Sequence, residues 1–78
     1  MTLAALKPGE SALILNVSGD GAITRRMADM GVVPGQHIRM LRVAPLGDPL
    51  ELHVMGYHLS LRKAEALRVQ VRPVESHA

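Results

Sequence analysis

Apolar and polar residues alternate most cleanly between Leu50 and Arg62. Leu50, Leu52 and Val54 are interleaved with Glu51, His53 and Met55, and Leu59 and Leu61 with His58, Ser60 and Arg62. A period of two sends alternate side chains to opposite faces of a strand, so the stretch predicts a hairpin with one face in the core. Taking Gly56-Tyr57 as the two-residue turn, glycine first, fits type II′. The implied cross-strand pairs are Met55–His58, Val54–Leu59, His53–Ser60, Leu52–Leu61 and Glu51–Arg62, the last joining opposite charges. A turn on Met55-Gly56 would instead require Met55 at positive φ, which is costly for a residue with a Cβ.

The period changes elsewhere. Ile23, Met27 and Met30 stand at i, i+4 and i+7, which places them on one helical face. Asp20 is a suitable N-cap for that helix, and Gly31 a suitable left-handed stop. Pro34-Gly35 then fits the centre of a type II turn. Glu10 to Val17 and Gln36 to Ala44 read as strands with apolar residues on both faces, which means burial on both sides or a change of phase at a bulge. Lys7-Pro8-Gly9-Glu10 reads as a turn after a short apolar lead-in, Leu3 to Leu6. Pro45 to Pro49 is expected to be a rigid loop, because neither proline can donate to a sheet ladder. Lys63 to Leu67 suits a single helical turn. Arg68 to Arg72 suits a last strand with Val69 and Val71 inward, ended by Pro73, and residues 74–78 a flexible tail. Together these predict one domain over residues 1–73, mainly β. It is a small, partly open barrel of about five strands with one short helix inserted after the first strand.

Composition narrows the core and the chemistry. With no Phe, no Trp and one Tyr in 78 residues, the interior must be aliphatic. The absence of cysteine removes disulfides and thiolate metal sites. No apolar stretch approaches the roughly 20 residues of a membrane span, and the early Lys7-Pro8-Gly9 break argues against a signal peptide; the expectation is a cytoplasmic domain that is not itself membrane-inserted. A net charge of +2 does not by itself imply nucleic acid, and single-strand binders stack bases on aromatic side chains that this chain lacks. No phosphate-cradling loop, nucleophile elbow or paired-carboxylate motif is present, so no enzyme activity is expected.

Two candidate sites remain. His53 and His58 fall on the outward face of the predicted hairpin near its tip, with Glu51 beyond, and could hold a divalent cation. A structural site needs about four ligands, which implies completion by a second chain and a metal-bridged homodimer. The other candidate is a docking surface. A stiff loop loses little entropy on binding, and Pro45 to Pro49 would present Leu46 at its tip with Arg39 and Arg42 nearby.

The order of landmarks resembles the FeoA family, the small accessory proteins of bacterial ferrous iron uptake. The resemblance is carried by Leu6-Lys7-Pro8-Gly9-Glu10, by Arg25-Arg26-Met27-Ala28-Asp29-Met30-Gly31-Val32-Val33-Pro34-Gly35, by Arg42-Val43-Ala44-Pro45-Leu46-Gly47-Asp48-Pro49, and by Leu59-Ser60-Leu61-Arg62-Lys63-Ala64-Glu65-Ala66. Met27 stands where the family commonly has Leu, a change that conserves volume. The resemblance implies an SH3-like barrel and a non-catalytic role beside FeoB, a membrane transporter with a cytoplasmic GTP-binding domain. It implies no required cofactor, with iron or zinc as the metal the histidines could take. The alternative is a stand-alone metalloregulator-type domain, since similar SH3-like domains end iron-dependent repressors. It would bind a transition metal or a repressor-like partner.

Overall fold

A computed structural model describes residues 1–75. Five strands form one antiparallel sheet: β1 (Ser11–Val17), β2 (His37–Val43), β3 (Leu50–Val54), β4 (Tyr57–Leu61) and β5 (Val69–Val74), in the order β4-β3-β2-β1-β5. Helix α1 (Gly21–Asp29) follows β1, and a short α2 (Lys63–Ala66) links β4 to β5. A 3-10 turn, Leu3–Ala5, buries Leu3 and Leu6 against the core. The preceding residues cover the β5 edge: the Val71 N–H donates to the Met1 carbonyl at 2.9 Å, and Thr2 bridges to Gln70. The sheet thus stays open at β4, a partly open barrel.

The interior is aliphatic and contains no buried polar or charged side chain among the described residues. Strands β1 and β2 are apolar on both faces because each changes phase at a bulge. In β1 the register against β5 slips between Ile14 and Asn16, which leaves Ile14 buried and turns Leu15 outward, 49% exposed. In β2 the slip lies between Met40 and Arg42 and turns Leu41 outward. Helix α1 lays Met27 into the core, with Ile23 and Met30 packed beside it. The Asp20 carboxylate accepts from the Ala22 and Ile23 N–H groups, both at 3.0 Å, and caps it. At the other end the Gly31 N–H donates to Ala28 and the Val32 N–H to Met27, both at 2.9 Å. That is a Schellman closure, with Gly31 at φ +85°. The Pro34-Gly35 turn forms as expected, with Gly35 at φ +92° and the Gln36 N–H donating to Val33.

The hairpin departs from the predicted register. Its turn is Met55-Gly56, with φ +51° and +82°, and the pairs are Val54–Tyr57, His53–His58, Leu52–Leu59, Glu51–Ser60 and Leu50–Leu61. Glu51 therefore opposes Ser60 and not Arg62. The two registers differ by two residues, so Leu52, Val54, Leu59 and Leu61 face the core in either one. Helix α2 decides between them: Arg62 is its N-cap and donates its N–H to Glu65 Oε1 at 2.9 Å, so the strand must end at Leu61. Tyr57, freed from the turn, sits opposite Val54 and donates its hydroxyl to the Met30 carbonyl at the end of α1. These contacts, and a turn twist that matches the strands, offset about 1–2 kcal/mol for a left-handed Met55.

Strand β5 also runs two residues beyond its predicted end. Pro73 pairs with Ala12 and Val74 with Ser11, an arrangement open to proline because β5 lies at the sheet edge. Of the expected tail, Val74 thus belongs to the sheet, and residues 76–78 lie outside the described residues.

Candidate functional site

The outward face of the sheet carries four of the five residues expected to have a function. Arg39 on β2 opposes His53 on β3, and His53 opposes His58 on β4, so three cationic or ionisable side chains form one row across three strands. Ser11 on β1 continues the row beyond Arg39. Arg42, beyond the β2 bulge, opposes Glu51. All four of these basic side chains are exposed.

The Glu51 carboxylate holds this face together. Its Oε2 lies 3.0 Å from Arg42 Nε and its Oε1 3.2 Å from His58 Nε2. The sequence pointed to Arg62 as its partner; the register supplies Arg42 from β2 and His58 from β4. His53 and His58 do come together, yet among the described residues no three of His, Cys, Asp or Glu are grouped to hold a metal ion. With the carboxylate committed to Arg42 and His58, the imidazole pair is left as a two-nitrogen site beside guanidinium groups. That is half of what a structural zinc site requires.

The fifth residue, Leu46, stands on the loop between β2 and β3 and is 96% exposed. The loop is closed at both ends. The Ala44 N–H donates to Pro49 at 3.1 Å, and the Gly47 N–H donates to Ala44 at 2.7 Å, with Gly47 at φ +86°. Asp48 Oδ1 accepts from the Lys63 N–H at 3.1 Å, tying the loop to the start of α2. Nothing in the spacing of Asp48 and Lys63 announced that link, because it depends on how the hairpin returns α2 beneath the loop.

Sequence reasoning also missed a groove between the helices. Ile23, Met27 and Ala64 line a hollow of about 180 Å³ between α1 and α2, bounded by Arg26, Glu65 and Arg68. Arg26 Nη2 and Glu65 Oε2, 2.8 Å apart, span its rim. Its residues are far apart in the chain, and only the closure of α2 onto α1 assembles it.

Five short antiparallel strands in a partly open barrel with one inserted helix make an SH3-like domain. Residues 1–73 match the FeoA domain, and the chain belongs to that family. It is 37% identical over all 78 residues to a Porphyromonas gingivalis protein in which Fe(2+) transport protein A is fused to the Fe(2+) transporter FeoB; the chain spans 9% of that relative's length. Among solved structures it is similar to FeoA from Chlorobium tepidum, with a TM-score of 0.89 and 37% identity, over all of this chain and 74% of that one. It is also similar to Stenotrophomonas maltophilia FeoA complexed with zinc, a prokaryotic SH3 domain protein, with a TM-score of 0.79 and 37% identity, over 92% of this chain and 89% of that one. Among the described residues no helix is long and apolar enough to cross a membrane.

Proposed function

We propose that this protein is a non-catalytic cytoplasmic accessory module of ferrous iron uptake. It docks on the cytoplasmic part of a FeoB-type transporter and tunes its activity. The observation that carries this reading is the relative in which the same domain is covalently joined to the transporter. A tether converts docking into an intramolecular event at high effective concentration, so the fusion supports a working contact between a domain of this family and the transporter. The stiff loop supplies an anchor: Leu46 is almost fully exposed on a loop already closed by hydrogen bonds, so little ordering entropy opposes its burial in a partner. Arg42, near the end of β2 that leads into the loop, and Arg39, further back on the same strand, would add charged recognition elements. Leu46→Ser should weaken capture of the chain by the transporter's cytoplasmic domain while leaving the thermal midpoint within a few degrees. Unchanged capture would place the contact elsewhere, and unfolding would make Leu46 structural.

A second reading places a transition metal on His53 and His58, completed by the same pair from another copy of the chain. It is supported by the directly opposed imidazoles and by the zinc complex of the Stenotrophomonas relative. Added Zn²⁺ should then shift the chain from monomer toward dimer in sedimentation, and His53→Ala should abolish the shift. A sedimentation coefficient indifferent to Zn²⁺ rules this reading out.

A further inference from the structure

We propose that the row Arg39–His53–His58, with Arg42 beside it, receives an extended acidic segment of a partner protein. The proposal deepens the docking reading and rests on it for the identity of the partner, but the chemistry of the occupant comes from the face itself.

Charge is the first argument. The outward rows of β2, β3 and β4 hold two arginines and three histidines (His37, His53 and His58) against the single carboxylate of Glu51, which is already committed to Arg42 and His58. The Arg39 guanidinium has no carboxylate within ion-pair distance among the described residues. Most of the chain's other acids are engaged away from this face. Asp20 caps α1, Asp48 caps the start of α2, Glu10 accepts from the Lys7 N–H, and Glu65 is shared between Arg26 and the Arg62 N–H. A face whose cations outnumber its acids, and whose acids cannot be redeployed, is complementary to an anion.

Shape is the second argument. Neighbouring strands lie about 4.8 Å apart, so Arg39 and His58 are separated by two spacings, roughly 10 Å, or about three residues of extended chain. Alternate side chains of an extended segment share one face about 7 Å apart, between one and two strand spacings, so with one carboxylate at Arg39 the next falls between His53 and His58 and the intervening side chain turns outward. Nucleic acid fits less well. The chain's one Tyr, with no Phe or Trp beside it, is tied to the Met30 carbonyl, so this face lacks the large aromatic side chains on which single strands usually stack.

The test titrates the ¹⁵N-labelled full chain with an N-acetylated octapeptide of alternating Glu and Val. A Lys-Val octapeptide and a short oligothymidylate serve as comparisons. Amide shifts should concentrate on Arg39, Arg42, His53 and His58 with the acidic peptide. Arg39→Gln should raise its Kd about five-fold or more, and raised salt should weaken it further. Arg25→Gln, which removes the same charge from the exposed surface of α1, should leave the Kd unchanged. Shifts elsewhere, equal weakening by Arg25→Gln, or tighter binding of the oligothymidylate to the same row would each overturn the proposal. The two readings separate cleanly. If the transporter's cytoplasmic domain binds but the peptide does not and Arg39→Gln has no effect on that binding, the acidic occupant is wrong and docking stands. Peptide binding without transporter binding supports the acidic occupant and overturns docking on the transporter.

Discussion

Gly31 joins α1 to the sheet, and replacing it with alanine tests how the helix exit is packed. At φ +85° an alanine sits in the left-handed region at a cost of about 1–2 kcal/mol. Space adds to that cost, because a Cβ built at Gly31 would lie 2.9 Å from Met55 Sδ and 2.9 Å from the Tyr57 hydroxyl. Met55 is exposed and its sulfur can swing aside. The Tyr57 hydroxyl is held by the Met30 carbonyl and must give up or distort that hydrogen bond, at about 0.5–1.5 kcal/mol. Gly31→Ala should therefore destabilise by about 1.5–3.5 kcal/mol, a large share of the roughly 4–12 expected for a domain of this size. Gly35 is the internal control. Its φ of +92° is as restrictive, but nothing lies within 4 Å of a Cβ there, so Gly35→Ala should show only the conformational part. Urea unfolding of both variants gives the difference, and the Gly31 variant's thermal midpoint should fall by about 10 °C or more. Tyr57→Phe, which removes the hydroxyl, should recover part of the Gly31→Ala loss in a double-mutant cycle. Equal costs at Gly31 and Gly35, or no coupling to Tyr57, would refute the packing argument at the helix exit.

Two further substitutions probe the hairpin. Met55→Asn creates Asn-Gly, the pair favoured in a type I′ turn, and should stabilise by a few tenths to about 1 kcal/mol in urea unfolding. A loss of more than about 0.5 kcal/mol would mean that the Met55 side chain contributes more at Gly31 than its exposed position suggests. Leu61→Ala removes a side chain that is 1% exposed and should cost about 2–5 kcal/mol by the same assay. A cost below about 1 kcal/mol would place Leu61 outside the core.

What the sequence determined by itself was which side chains face inward and where the chain turns. The alternation from Leu50 to Leu61, the Asp20 cap, the Gly31 stop and the Pro34-Gly35 turn are local, and each acts through neighbours within a few residues. The doubly apolar β1 and β2 were ambiguous for the same reason, since a bulge shows itself only in the partner strand. The hairpin register lay beyond local signals. A slip of two residues conserves both faces, and the local cost of a left-handed Met55 favoured the wrong turn. Helix α2, the Glu65 bond to the Arg62 N–H and the bond from Tyr57 to Met30 then selected the other. The same holds for the candidate site. Arg39, Arg42, His53, His58 and Leu46 could be picked out one by one from their types and positions. That Glu51 would answer Arg42 and His58, that Arg39 would head a row with no ion-pair partner among the described residues, and that Asp48 would brace the Leu46 loop against α2 all follow from pairings between strands and loops distant in sequence. Charge on a sheet is organised across strands, so only the assembled register could show it.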